Sequence, residues 1–282
     1  MRIISYRGAN RIRFSAYYLL LIIASIIILI PIIWMISFSF RPNNEIFQIP
    51  PKIIPDTFTI DAYNNVLKNN VNIRSIFNSL VVCSAVTGIS IIISSLAGYG
   101  FSRFRFRGKQ LTTFFILITQ MIPPIILLLP YFLIISKLGL YDTYFALIIT
   151  YVSFTIPFCT LMLRSFFDTT PKELDEAAMI DGCSRMGALL RVILPTNVPS
   201  LIATGAFAFI MAWTELLFAV ALTSSKNMMQ SSVAVARYVG EYAFQWSEIM
   251  AFSFLTCVPL VLIWIFLQRY IIEGMTKGSV KY

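Results

Sequence analysis

Six uncharged apolar runs constrain this chain more than any other feature of its sequence. They extend from Phe14 to Phe40, Ser75 to Ser102, Gln110 to Ser136, Thr143 to Leu163, Val192 to Thr214 and Ile249 to Gln268. Each reaches the roughly 20 residues that a helix needs to cross the hydrocarbon core of a bilayer. Buried helices of a soluble domain would be shorter and would show a polar face. The composition agrees: 58% of the 282 residues are hydrophobic, against about 45–50% in soluble domains. The runs therefore predict an all-α integral membrane protein with six transmembrane helices.

Basic residues set the orientation. The N-terminal segment, the loop with Arg103, Arg105, Arg107 and Lys109, the segment from Arg164 to Arg191, and the C-terminal segment carry 15 Lys and Arg, against 7 on the other side. The positive-inside rule then places both termini in the cytoplasm, the chain crossing the membrane several times. Arg2, Arg7, Arg11 and Arg13 before the first run resemble the start of a secretory signal. The run is too long for that and no small-residue cleavage site follows it, so an uncleaved first span is expected. The expected layout is a cytoplasmic N-terminus at 1–15, span one at 16–40, an extracytoplasmic loop at 41–74 with one short helix near Ile60 to Leu67, and a core at 75–282. The core holds spans two to six, a cytoplasmic loop at 168–195 and a cytoplasmic tail at 272–282. The net charge of +9 mainly reflects this topology, with attraction to anionic lipid added. Nucleic-acid binding would need a basic soluble face with interleaved aromatics, which the sequence lacks.

Several chemistries are excluded. The chain has no histidine, which removes serine–histidine triads, H-E-x-x-H zinc sites and histidine proton relays. Cys83, Cys159, Cys183 and Cys257 are scattered without a C-x-x-C pair, so neither a metal site nor a disulfide framework is expected. There is no phosphate-binding G-x-x-x-x-G-K-S/T loop; Gly108 and Lys109 lack its spacing and hydroxyl. If nucleotide energy is used, another chain binds the nucleotide.

Two interruptions of the spans invite a functional reading. The third run contains "QMIPPIILLLPYF", with Pro123, Pro124 and Pro130 at membrane depth. Each proline removes a backbone donor; the result is either a packing kink or a broken helix lining a pathway. Glu215, in "MAWTELLFAV", directly follows the fifth run and is the one acid that interrupts the apolar core. It either reaches water at the outer interface or lines a solute path together with Trp213 and Thr214.

The densest charge lies between two spans, in "PKELDEAAMIDGCSRMGALLRVILP", Pro171 to Pro195. Thr170, Pro171 and Glu173 have the pattern of a capped helix start, and Gly182 that of a stop. One helix from Pro171 to Asp181 is expected. On its wheel Leu174, Ala177, Ala178 and Asp181 share a stripe, while Lys172, Asp175 and Glu176 occupy a solvated far side. The small apolar face and acidic polar face suit a protein groove better than a bilayer surface.

These residues resemble a known family. "EAAMIDG", nine further residues and then "VILP" are similar to the EAA loop of ATP-binding-cassette (ABC) importer permeases, with Val192 in place of the usual isoleucine. "QMIPP", "LGLYDTYFALII" and the tail "GMTKGSVKY" extend the resemblance to the MalG-like carbohydrate-uptake branch, from about Asn78 to the end. In "AWTELL", Thr214 and Leu216 depart from the family's W-N-E-F.

The resemblance implies a type I ABC importer permease fold and a non-catalytic subunit of a binding-protein-dependent sugar importer, forming half of its translocation pathway. It implies a coupling helix seated on a cytoplasmic ATPase, with Leu174, Glu176, Ala177, Ala178, Asp181, Gly182, Leu194 and Pro195 at or beside the contact. Gly274, Thr276, Gly278 and Lys281 of the tail would approach the ATPase pair. Pro123, Pro124, Trp213, Thr214 and Glu215 would lie on the solute path. The implied partners are a second six-span subunit, MalF-like in a heterodimer or a second copy in a homodimer, two ATPase subunits carrying ATP and Mg, an extracytoplasmic solute-binding protein, a sugar, and the bilayer. No cofactor or metal is expected on this chain. An importer of the same superfamily for another solute, an ion-gradient-driven transporter and a membrane enzyme are the competing classes. The second would want a relay of intramembrane charges, and the third the paired acids or serine–lysine dyad that the sequence lacks.

Overall fold

The computed structural model describes residues 3–50, 52–241 and 245–277. Among them the chain is helical, with no β-strand. It divides into two units: one comprises residues 1–68 and 238–255, the other 69–237 and 256–282.

In the first unit, α1 (Ile3–Ser39) continues from the N-terminal segment through the first apolar run. Its apolar side chains from Leu19 to Ile33 are largely exposed, as expected of a span whose neighbours are lipid or another chain. The short helix α2 (Asp61–Lys68) falls within a residue of the expected position. Asp61 lies in its first turn and Lys68 in its last, the order that the helix dipole favours.

The centre of the second unit is built on α3 (Asn70–Arg103). The Asn69 side chain caps it by accepting from the Val71 N–H at 3.1 Å. After it come α4 (Lys109–Met121), α5 (Pro124–Lys137) and α6 (Tyr144–Thr169). Thr143 Oγ1 opens α6 by accepting from the Ala146 N–H. The charged loop that follows α6 holds α7 (Glu173–Ile180), α8 (Arg185–Ala188), a π-turn at Leu189–Ile193 and α9 (Leu194–Thr196). Beyond these are α10 (Val198–Trp213), α11 (Leu217–Leu222), α12 (Ser231–Glu241) and α13 (Trp246–Lys277).

Helices α3, α6 and α10 pack on one another. They bury Val82, Val86, Leu147, Tyr151, Phe209 and Trp213 in one core. The buried positions Asn78, Val82, Val86, Ser90, Ser94, Gly98 and Ser102 recur every fourth residue along α3. Ser90 bonds Thr155 at 2.7 Å, and Thr160 donates to Ser94 at 3.2 Å. A Cβ on Gly98 would stand 3.0 Å from the Arg164 nitrogen, so this glycine is what allows α3 and α6 to close up. Small residues and interhelical hydroxyl bonds replace the hydrophobic effect where the solvent is lipid.

Four helices are long and apolar enough to cross a membrane, and two bent pairs bring the total to as many as six. The third run is not merely kinked: α4 and α5 meet at 97°. Ile122 is extended, and Pro123 caps α5 with Pro124 at its first position. The fifth run is also broken, with the segment Arg185–Thr196 bent 82° from α10.

Candidate coupling and translocation sites

Three features of the loop between α6 and α10 correct the sequence reading. The expected cap residue, Thr170, ends α6: its N–H donates to the Phe167 carbonyl, and its hydroxyl to the Phe166 carbonyl and to Asn197 Oδ1. With that hydroxyl engaged, α7 begins after Lys172 without a side-chain cap. Glu173, Asp175 and Glu176 supply negative charge to its first turn instead. The stop is as expected. Gly182 has φ +85°, its N–H donates to the Met179 carbonyl and that of Cys183 to Ala178, the paired bonds of a Schellman ending.

The second correction concerns Asp175, read as solvated. Its side chain is 9% exposed and faces Arg103, itself 4% exposed, with Nε to Oδ2 at 2.8 Å. Tyr99 donates its hydroxyl to Oδ1 at 2.6 Å. Arg103 also donates from Nη1 to the Phe167 carbonyl and Ser102 Oγ, and from Nη2 to the Thr170 carbonyl. One guanidinium thus ties the end of α3, the end of α6 and the first turn of α7 together. Sequence reasoning had counted Arg103 only as a topology charge. A basic residue at the end of an apolar helix, four residues after a tyrosine and followed by an acid-rich short helix, was the available signal.

The third correction concerns the exposed face. Ala178 is buried, and the wheel is therefore rotated from the expected stripe. Leu174, Glu176, Ala177, Asp181 and Gly182 are exposed, Leu194 is half-buried and Pro195 exposed. Ile180, 86% exposed, stands beside them, and Met186 and Leu190 are also more than half exposed. The sequence reading missed these three large apolar residues.

The residues assigned to a solute path lie at two helix breaks. Pro123 and Pro124 are exposed at the α4–α5 bend. Trp213 is buried and stacks on Phe209 with centroids 5.5 Å apart. Thr214 is exposed and bonds back to the Ile210 carbonyl. Glu215 is half-buried and accepts the Phe218 N–H at 3.1 Å, capping α11, while its carbonyl accepts Ser232 Oγ. The carboxylate therefore has a structural partner. The helices that follow the two breaks, α5 and α11, pack together, with Tyr131 edge-on to Phe218. Of the tail positions, Gly274 and Thr276 fall in the last turns of α13, whose side chains are not described, and Gly278 and Lys281 lie outside the described residues.

Asp142 secures the turn between α5 and α6. It sits at φ +61°, and its Oδ1 accepts the Ser224 and Ser225 N–H groups. Burial tends to raise its pKa, but these bonds outweigh it and hold the carboxyl below its ordinary value.

Long spans, paired helix breaks and a charged helical loop define a multi-pass permease-type membrane protein. Residues 90–277 match the family model described as binding-protein-dependent transport system inner membrane component, and the chain belongs to that family. It is similar to the trehalose/maltose transport system permease protein MalG of Thermococcus litoralis, 37% identical over 92% of this chain and 94% of that one. It is also similar to the sulfoquinovosyl glycerol transport system permease protein SmoH of Agrobacterium fabrum, 34% identical over 98% and 96%. The fold matches a crystal structure of a bacterial ABC transporter involved in the import of the acidic polysaccharide alginate. That match has a TM-score of 0.80 at 22% identity and covers 93% of this chain and 97% of the other.

Proposed function

We propose that this chain is the permease subunit of an ATP-driven, binding-protein-dependent importer of a sugar, an oligosaccharide in particular. It forms half of the translocation pathway and has no catalytic site of its own. The sugar assignment is supported by the trehalose/maltose and sulfoquinovosyl glycerol systems that name its relatives. The mechanical part rests on one observation, the buried Arg103–Asp175 pair that fastens α7 to α3 and α6.

In this reading α7 is the coupling helix. Leu174, Glu176, Ala177, Ile180 and Asp181 meet a groove on an ATPase subunit, and Gly182 permits the sharp exit. Ala178 acts from behind, packing the helix onto its own chain, and Leu194 and Pro195 set where the next span begins. Two ATPase subunits bind ATP and Mg and close on each other; the resulting displacement of α7 passes through Arg103 into two spanning helices at once. A second six-span subunit, MalF-like, completes the pathway, and an extracytoplasmic binding protein delivers the sugar. Both termini are cytoplasmic, and the tail positions Gly274, Thr276, Gly278 and Lys281 approach the ATPase pair. Pro123, Pro124, Trp213, Thr214 and Glu215 belong to the path or its supports, because breaks in spanning helices expose backbone groups where a polar solute can use them. A switch of this kind needs contacts that differ between two states, and the ATPase supplies that difference.

Uptake in membrane vesicles tests the reading. Glu176→Lys should abolish sugar uptake while the subunit still inserts and assembles with its sister. Normal uptake by that variant, or ATPase activity of this chain purified alone, would overturn it.

A further inference from the structure

In the second unit a cavity of about 370 Å³ opens where α4 starts beside the later part of α6. Lys109, Gln110, Thr113, Phe114 and Leu117 of α4 line it, with Arg164 of α6. The α4 residues follow Lys109 at i+1, i+4, i+5 and i+8, so they share one helix face. That face is graded: a cation and hydrogen-bonding groups occupy its first turn, and the exposed apolar side chains of Phe114 and Leu117 follow. From Lys109 to Leu117 the helix rises about 12 Å.

The polar end carries positive charge that the chain does not neutralise. Lys109 is half-buried, and among the described residues its ammonium bonds the Phe104 carbonyl alone, at 3.4 Å. No carboxylate among those residues lies within ion-pair distance of it, nor of Arg105 and Arg107 on the loop leading into α4. Arg164 meets Asp168 through Nε at 3.6 Å and donates from Nη1 to Thr113 Oγ1. Asp168 also accepts the Ser102 hydroxyl, and it offsets at most one of these four cations. Such a cluster attracts an anion.

The apolar end narrows the class of anion. No residue of α4 is buried, and in a chain whose spans cross a bilayer an exposed apolar face meets acyl chains. A free phosphate would use the cations and leave the apolar wall untouched. An acidic protein segment would have to enter the hydrocarbon to cover that wall. An anionic phospholipid fits both ends, and basic pockets between spanning helices are suited to such headgroups.

We propose that this cavity selects an anionic phospholipid, its phosphate held by Lys109 and Arg164 and its acyl chains lying along α4 past Phe114 and Leu117. The site shares no residue with the coupling helix or the solute path assigned above, so it stands whatever the solute.

Native mass spectrometry of the full chain purified in detergent tests this, with phosphatidylglycerol and phosphatidylcholine of identical acyl chains as probes. One phosphatidylglycerol per chain should bind about 5- to 30-fold more tightly than phosphatidylcholine, the equivalent of one or two cationic contacts. Lys109→Gln should lower that preference about fivefold, and Lys109→Gln with Arg164→Gln should abolish it. Lys137→Gln with Lys226→Gln removes the same charge from exposed positions outside the cavity and should leave the preference intact. Melting temperatures in phosphatidylcholine show which variants are folded. Lys109→Gln gives up a single long bond, and it decides the matter if the double variant does not fold. Equal binding of the two lipids would overturn the proposal, as would a preference that survives Lys109→Gln unchanged or falls equally in the control. Release of phosphatidylglycerol by an excess of inorganic phosphate would overturn the lipid assignment in favour of a simple anion site.

Discussion

Arg41 and Arg103 are both buried guanidiniums at the end of a long apolar helix, and they are treated differently. Arg103 is fully engaged, with Asp175 on Nε and two carbonyls and a serine hydroxyl on its remaining nitrogens. Arg41 has a hydroxyl, one carbonyl and an aromatic ring, an Nε without an acceptor and, among the described residues, no acid. A guanidinium with every nitrogen engaged behaves as a rivet, because loosening any one bond leaves a buried charge exposed to loss of the others. The contrast separates a guanidinium shared by three helices from one that serves the end of a single helix.

Breaking the rivet should produce the largest effect. Arg103→Met strands Asp175 and should cost about 3–5 kcal/mol, read as a lower melting temperature and as proteolytic cleavage between residues 170 and 182. Arg103→Met with Asp175→Leu removes both charges and should recover much of the stability. If the double variant is no better than the single one, the pair is not the tie described. Next comes Gly182, where any side chain meets a left-handed backbone. Gly182→Ala should cost about 1–2 kcal/mol and reduce uptake more than assembly, measured by co-purification of the sister subunit. Arg41→Met should fall below Arg103→Met, within about 1–3 kcal/mol, since no acid is left behind. Equal losses at the two arginines would erase the comparison.

Smaller effects sharpen it. Asp142→Leu should cost about 1–2 kcal/mol after allowance for its partial exposure, whereas Asp142→Asn, which tolerates the left-handed conformation, should cost less. Because the Asp142 carboxyl is held below its ordinary value, its stabilisation is complete above the unfolded pKa of about 3.9. It is lost only as pH falls through the lower folded value. A melting curve that shifts between neutral pH and pH of about 5 on account of Asp142 would contradict this. The smallest expected change is Glu215→Gln, which keeps an acceptor for the Phe218 N–H; it should alter stability by less than about 0.5 kcal/mol. A larger effect on uptake than on stability would support Glu215 as part of the path.

The apolar runs were legible because bilayer thickness dictates their length, and Gly182 because its conformation excludes other residues. The start of α7 was misread because capping patterns describe a helix in isolation. Here Thr170 belongs first to the helix before it, and Asn197 competes for its hydroxyl. Asp175 was misread for a related reason. A helical wheel ranks residues by polarity, and a buried ion pair inverts that ranking whenever its partner comes from another helix. The four-residue stripe on α3 was missed because serine and glycine look neutral to a hydropathy scale, although in lipid they are what allows helices to approach.

The bend between α4 and α5 has a consequence for how the protein is made. Each arm has 13 or 14 residues, about 20 Å of helix at 1.5 Å per residue, and neither alone crosses a hydrocarbon core of about 30 Å. During synthesis the segment is long and greasy enough to enter the bilayer as one straight crossing, and it can fold back at Ile122–Pro123 only after other helices are present to shelter the freed carbonyls. Insertion and folding are therefore separate events for this segment, and the bend depends on neighbours that cover the freed carbonyls.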